Sequence, residues 1–144
     1  MKRKVLLLVL VILLILALTG CGMISPGIPE WMRAENSVYY YWQAIINRQY
    51  ELAKYCCITD GIWYNKTDEW EEYINFNSEG EASVIIHTPH FYKQAEAIGN
   101  DAIVYATIYF DKIAFPDSNI IHVDTFEYEI ELIKISPPGD WELK

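Results

Sequence analysis

Basic residues are scarce in this chain: 11 lysines and arginines stand against 20 aspartates and glutamates over 144 residues. That balance excludes nucleic acid and anionic headgroups as partners of the protein surface, since both need a basic face. Cysteine is scarcer still, with three in all. Cys56 and Cys57 are neighbours, and adjacent cysteines close only a strained ring, which argues against a disulfide between them. No pair of Cys-x-x-Cys motifs marks a zinc site. The sequence has three histidines; His87 and His90 lie three apart, but nothing marks the third ligand that a metal would want. Glycine-rich phosphate loops, HExxH and nucleophile triads are missing as motifs. No metal and no cofactor is implied.

A membrane-spanning run is lacking too. Val5–Leu18 is apolar throughout, yet its 14 residues fall short of the roughly 20 that a spanning helix needs. Lys2, Arg3 and Lys4 precede it, and a basic start before an apolar stretch of this length is the secretory pattern. Leu18-Thr19-Gly20-Cys21 then resembles the lipobox of bacterial lipoproteins: an aliphatic residue, two small ones and a cysteine. The resemblance implies cleavage after Gly20 and diacylglyceryl transfer to the Cys21 thiol. Each buried CH₂ is worth about 0.8 kcal/mol and one chain anchors only marginally, so a doubly acylated Cys21 holds a domain at a bilayer without a spanning helix. The implied location is the outer face of the bacterial cytoplasmic membrane. In a Gram-negative cell, Gly22 in place of aspartate resembles outer-membrane sorting.

Residues 1–20 carry three basic residues and no acid, so residues 21–144 hold a net charge of −12. Those 124 residues suffice for one domain with a real core. All the aromatics (11 Tyr, 5 Trp and 5 Phe) lie there. Residues 21–33 read as the lipidated cysteine and a tether, because Pro26, Gly27 and Pro29 interrupt regular structure. From Ala34 the spacing of Val38, Tyr41, Trp42, Ile45, Leu52, Ala53 and Cys56 predicts a helical stripe, broken at Asn47-Arg48-Gln49. Thr67-Asp68 predicts the start of another helix, with Asp68 and Glu71 spaced as a capping box and with Trp70, Tyr73 and Ile74 inward. Beyond Gly80 the period becomes two. Ala82–His87 ends at Pro89; Phe91–Ile98 and Ala102–Asp111 flank the hairpin signature Gly99-Asn100-Asp101. Phe126, Tyr128, Ile130 and Leu132 alternate with three glutamates, and Ile133 and Ile135 then switch phase, as at a bulge. Pro116-Asp117-Ser118 and Pro137-Pro138-Gly139-Asp140 read as turns, and Trp141-Glu142-Leu143 as a last strand.

Helices first and antiparallel strands after predict an α+β domain over residues 34–144, with the helices gathered on one sheet face. An aromatic first helix followed by Asn47-Arg48-Gln49-Tyr50-Glu51-Leu52-Ala53 resembles the helix break of NTF2-like domains. That resemblance implies three helices closed against a curved sheet, forming a cone with a pocket. Enzymes of that superfamily use His or Asp inside the cone, and alternation places His122 and Asp124 on the face of Phe126. They are candidates for base and orienter in an isomerase or dehydratase. The opposite face of the preceding strand presents Tyr105, Thr107 and Tyr109, a candidate surface for a partner or a homodimer. Tyr39, Tyr40, Tyr41 and Trp42 offer a platform for envelope glycans, although helical spacing turns Tyr41 and Trp42 into the core. The leading expectation is a lipid-anchored, non-catalytic domain that binds a protein or small ligand.

Overall fold

The structure, a computed structural model, describes residues 27–79, 82–114, 119–135 and 140–144; the side chains of residues 121–123 are not among them. Cys21, the segment before it and the turns at Pro116 and Pro137 lie outside the described residues. Three helices come first: α1 (Glu30–Ile46), α2 (Tyr50–Lys54) and α3 (Ile62–Asn77). Five strands follow: β1 (Ala82–Ile86), β2 (His90–Ile98), β3 (Asp101–Ala114), β4 (Asn119–Lys134) and β5 (Trp141–Leu143). The domain is α+β, its helices packed on a curled antiparallel sheet that forms a half-barrel. No helix among the described residues is long and apolar enough to cross a membrane.

The first helix begins at Glu30, ahead of the expected Ala34. Pro29 is the reason. A proline cannot donate a backbone hydrogen bond, but a helix start asks for none. Its carbonyl accepts from Met32 N at 3.0 Å and Arg33 N at 3.1 Å, so the residue assigned to a tether opens the helix. The break at Asn47-Arg48-Gln49 falls as expected. Arg48 takes φ 59° there, and its guanidinium donates to Val84 O at 2.9 Å, tying the turn to β1. Along the predicted stripe Val38, Tyr41, Trp42, Ile45 and Ala53 are buried, but Leu52 is exposed and Cys57, not Cys56, completes the face.

The third helix corrects the sequence reading more deeply. It starts at Ile62, five residues before Thr67, and its N-cap Gly61 makes no side-chain cap. Thr67 is instead fully buried mid-helix. Its hydroxyl donates to Trp63 O at 2.9 Å and lies 3.2 Å from Tyr41 Oη. A threonine that finds a backbone carbonyl one turn back no longer competes with the helix, so the capping-box pair Asp68 and Glu71 falls inside the helix instead of at its start.

In the sheet, β4 pairs along the whole of one edge of β3, while β1 and β2 share the other, end to end. Pro89 separates them, as expected for an edge position. Gly99 at φ +64° and Asn100 close the β2–β3 hairpin in two residues, a turn that needs left-handed backbone. Small residues on the inner face of β3 meet large ones on β4: Ala106 opposes Tyr128, and Ala102 opposes Leu132. That alternation leaves room for three tryptophans from the helices. Trp70 stacks on Phe110 at 5.3 Å between centroids and 19°, with Trp42 at 5.3 Å and Phe126 at 5.4 Å. Trp63 closes the cluster against Tyr128 at 5.1 Å.

Candidate functional site

The strand carrying His122 and Asp124 starts at Asn119, ahead of both residues. Asp124 is in register with Phe110, an inner-face residue, and is half-buried. Tyr73 of α3 donates its hydroxyl to the Asp124 carboxylate. Burial, and then that carboxylate, raise the Tyr73 hydroxyl above its ordinary range, so the phenol stays a donor. His122 stands opposite Lys112 next to an irregularity in the β3–β4 register, and its side chain lies outside the described part. Asp124 therefore meets a tyrosine that periodicity alone does not pair with it, because the two lie 51 residues apart.

The trio on the other face of the sheet is less open than its pattern suggests. Tyr105 is 9 % exposed and Thr107 4 %; Tyr109 keeps 38 %. The chain itself roofs Tyr105. Lys93 Nζ sits 4.2 Å from the ring centroid, Tyr92 packs edge-on at 6.0 Å, and the Tyr105 hydroxyl donates to Glu96 Oε1 at 3.2 Å. The accessible part of the expected surface shrinks to Tyr109 and its neighbours. His87 does not meet His90: its Nε2 lies 2.7 Å from Asp111 Oδ2, while His90 is exposed opposite Thr107. Among the described residues no group of three or more His, Cys, Asp or Glu is placed to hold a metal. Cys56 and Cys57 are free thiols. Burial pushes Cys57 up to about 12, and it raises Cys56 as well, so neither is poised as a nucleophile.

A cleft of about 450 Å³ opens where α1, the end of α2 and β5 meet. Arg33, Asn36, Ser37 and Tyr40 line it from successive turns of one α1 face; Tyr55 and Cys56 come from the turn after α2, and Asp140, Trp141 and Glu142 from β5 and its approach. Two of its lining residues, Trp141 and Arg33, are held by Glu30, a residue that the tether reading overlooks. Glu30 accepts from Trp141 Nε1 at 3.2 Å and pairs with Lys134 at 3.1 Å and Arg33 at 3.3 Å. The Lys134 ammonium chiefly holds the Glu30 carboxyl below its usual range. A second cleft of about 280 Å³ lies on the far side of Tyr55, lined by Glu51, Lys54, Cys57, Thr59 and Tyr64. Tyr55 and Glu142 belong to both. Tyr40 is 64 % exposed and Tyr55 82 %, so neither ring serves the core. Tyr40 was legible in the middle of the run Tyr39-Tyr40-Tyr41; Tyr55, beyond the helix break, was not.

No family model matches the chain, and no curated protein or solved structure matches it either.

Proposed function

We propose that this protein is an extracytoplasmic lipoprotein, anchored through acylated Cys21, whose NTF2-like domain binds a ligand without transforming it. The observation that carries the binding reading is the occupied interior. The space enclosed by helices and sheet is filled with the rings of Trp42, Trp63, Trp70, Phe110 and Phe126, and the Asp124 carboxylate is already engaged by Tyr73. A catalytic cone needs room beside its base for the reacting atoms. The clefts beside Tyr55 provide room at the periphery instead. Three helices closed on a half-barrel sheet support the NTF2-like reading, and the short apolar run before Leu18-Thr19-Gly20-Cys21 supports the anchor.

The anchor is tested by fractionating cells that express the full chain and measuring intact mass. The expected species begins at Cys21 and carries a diacylglyceryl group; Cys21→Ser leaves an unprocessed or released protein without lipid. A membrane fraction retaining residues 1–20 on a bare thiol would remove the anchor and the location together.

A further inference from the structure

The two clefts share Tyr55 and Glu142, so a ligand longer than either cleft meets them as one groove. Tyr40 lines the larger, Tyr64 the smaller and Tyr55 both, so α1, the turn after α2 and α3 each contribute a tyrosine. The same clefts are lined by groups that make several hydrogen bonds each: the Asn36 amide, the Ser37 and Thr59 hydroxyls, and the carboxylates of Asp140 and Glu142. Arg33 and Lys54 are the cations of the groove. Arg33 lies near Asp140 at 3.9 Å, and Lys54 pairs with Asp68 at 2.7 Å.

We propose that this groove binds a neutral oligosaccharide, its rings seated on Tyr40 and Tyr55 and its hydroxyls shared among Asn36, Asp140 and Glu142. The inference rests on the reading of the domain as a binding module and adds the class of ligand. Sugar rings present an apolar C–H face that suits an exposed aromatic ring, and an edge of hydroxyls that needs donors and acceptors together. A purely apolar ligand would strand the polar groups of the groove without partners. A polyanionic glycan would meet Glu51, Asp140 and Glu142 on a body of net charge −12. A groove spanning two clefts favours an oligomer over a single sugar.

The test is calorimetric titration of the full-length protein, purified in detergent, with cellohexaose, xylohexaose, maltohexaose and chitohexaose. Hexagalacturonate is the anionic control, and pentalysine the probe for a cationic peptide. The expected result is binding of at least one neutral hexamer, about tenfold tighter than its disaccharide, with no binding of hexagalacturonate or pentalysine. Tyr55→Ala and Tyr40→Ala each weaken it by about tenfold or more. Both side chains are exposed, so the variants keep the parent's thermal midpoint to within a few degrees. The proposal is overturned if no neutral hexamer binds at about 10 mM, if both variants bind as the parent does, or if pentalysine occupies the groove instead. A protein that lacks lipid yet binds the sugar loses only the anchor; one that carries lipid and binds no sugar loses only this inference.

Discussion

Thr67 shows how much one hydroxyl can decide. It sits in the core between α1 and α3, within reach of both Tyr41 Oη and Trp63 O. Tyr41 is fully buried, and burial raises its hydroxyl far above the ordinary range, so it remains a neutral group in need of a partner. Thr67→Val keeps the shape and removes that partner, which costs about 1–3 kcal/mol through an unsatisfied buried hydroxyl. Adding Tyr41→Phe removes the orphan as well. The double variant is therefore expected to be more stable than Thr67→Val alone, a coupling that urea denaturation of the four proteins measures. From the sequence, Thr67-Asp68 reads as a helix start because Ser, Thr, Asn and Asp favour that position. The true role of Thr67 depends on a tyrosine 26 positions away, which no local pattern reveals.

Among the elements, the start of α3 and the end of the chain depend on each other. Trp63 N donates to Lys144 O at 3.2 Å, and Ile58 N to Leu143 O at 2.8 Å, so the short β5 is held by the α2–α3 turn as well as by β4. Gly61 is where they touch. A Cβ there would stand 2.9 Å from Ile58 O and 3.2 Å from Lys144 C, both backbone atoms that cannot rotate away. Gly61→Ala is expected to destabilise by about 1–3 kcal/mol and to speed amide exchange in β5 ahead of β3. Equal acceleration in both strands, followed by hydrogen–deuterium exchange, would mean that the docking is not local. The strands themselves were legible because alternation is a property of the chain alone. The α3 start was not, since its N-cap, Gly61, carries no capping side chain.

At the scale of the whole molecule, neutral phenols are built into the core. Burial first raises Tyr128, pushing it up to about 12, and Tyr73 and Tyr41 move the same way. In the unfolded chain each ionises near 10. The folded state thus holds protons that the unfolded state releases, and the contribution is complete below pH 10 and fades as pH rises toward 12. The denaturation midpoint is expected to fall steadily across that window, as urea denaturation at stepped pH measures. A midpoint that stays level across it would show these phenols to be wetter than their packing indicates.

Chain chemistry by itself determined the acidic balance, the short apolar run ahead of Cys21, the helix break at Asn47-Arg48-Gln49, the hairpin at Gly99 and the order of helices before strands. Each depends on neighbours a few residues apart: a run of apolar groups, a period of two, a glycine free to take positive φ. Tertiary structure decided which polar groups are engaged. It brought Tyr73 to Asp124, Lys93 over Tyr105, Glu30 to Trp141, and Tyr55 to the cleft that Tyr40 lines. The reason is physical: periodicity gives the face on which a side chain stands, while its partner is set by how separate elements cross, which depends on the volumes of every ring packed between them.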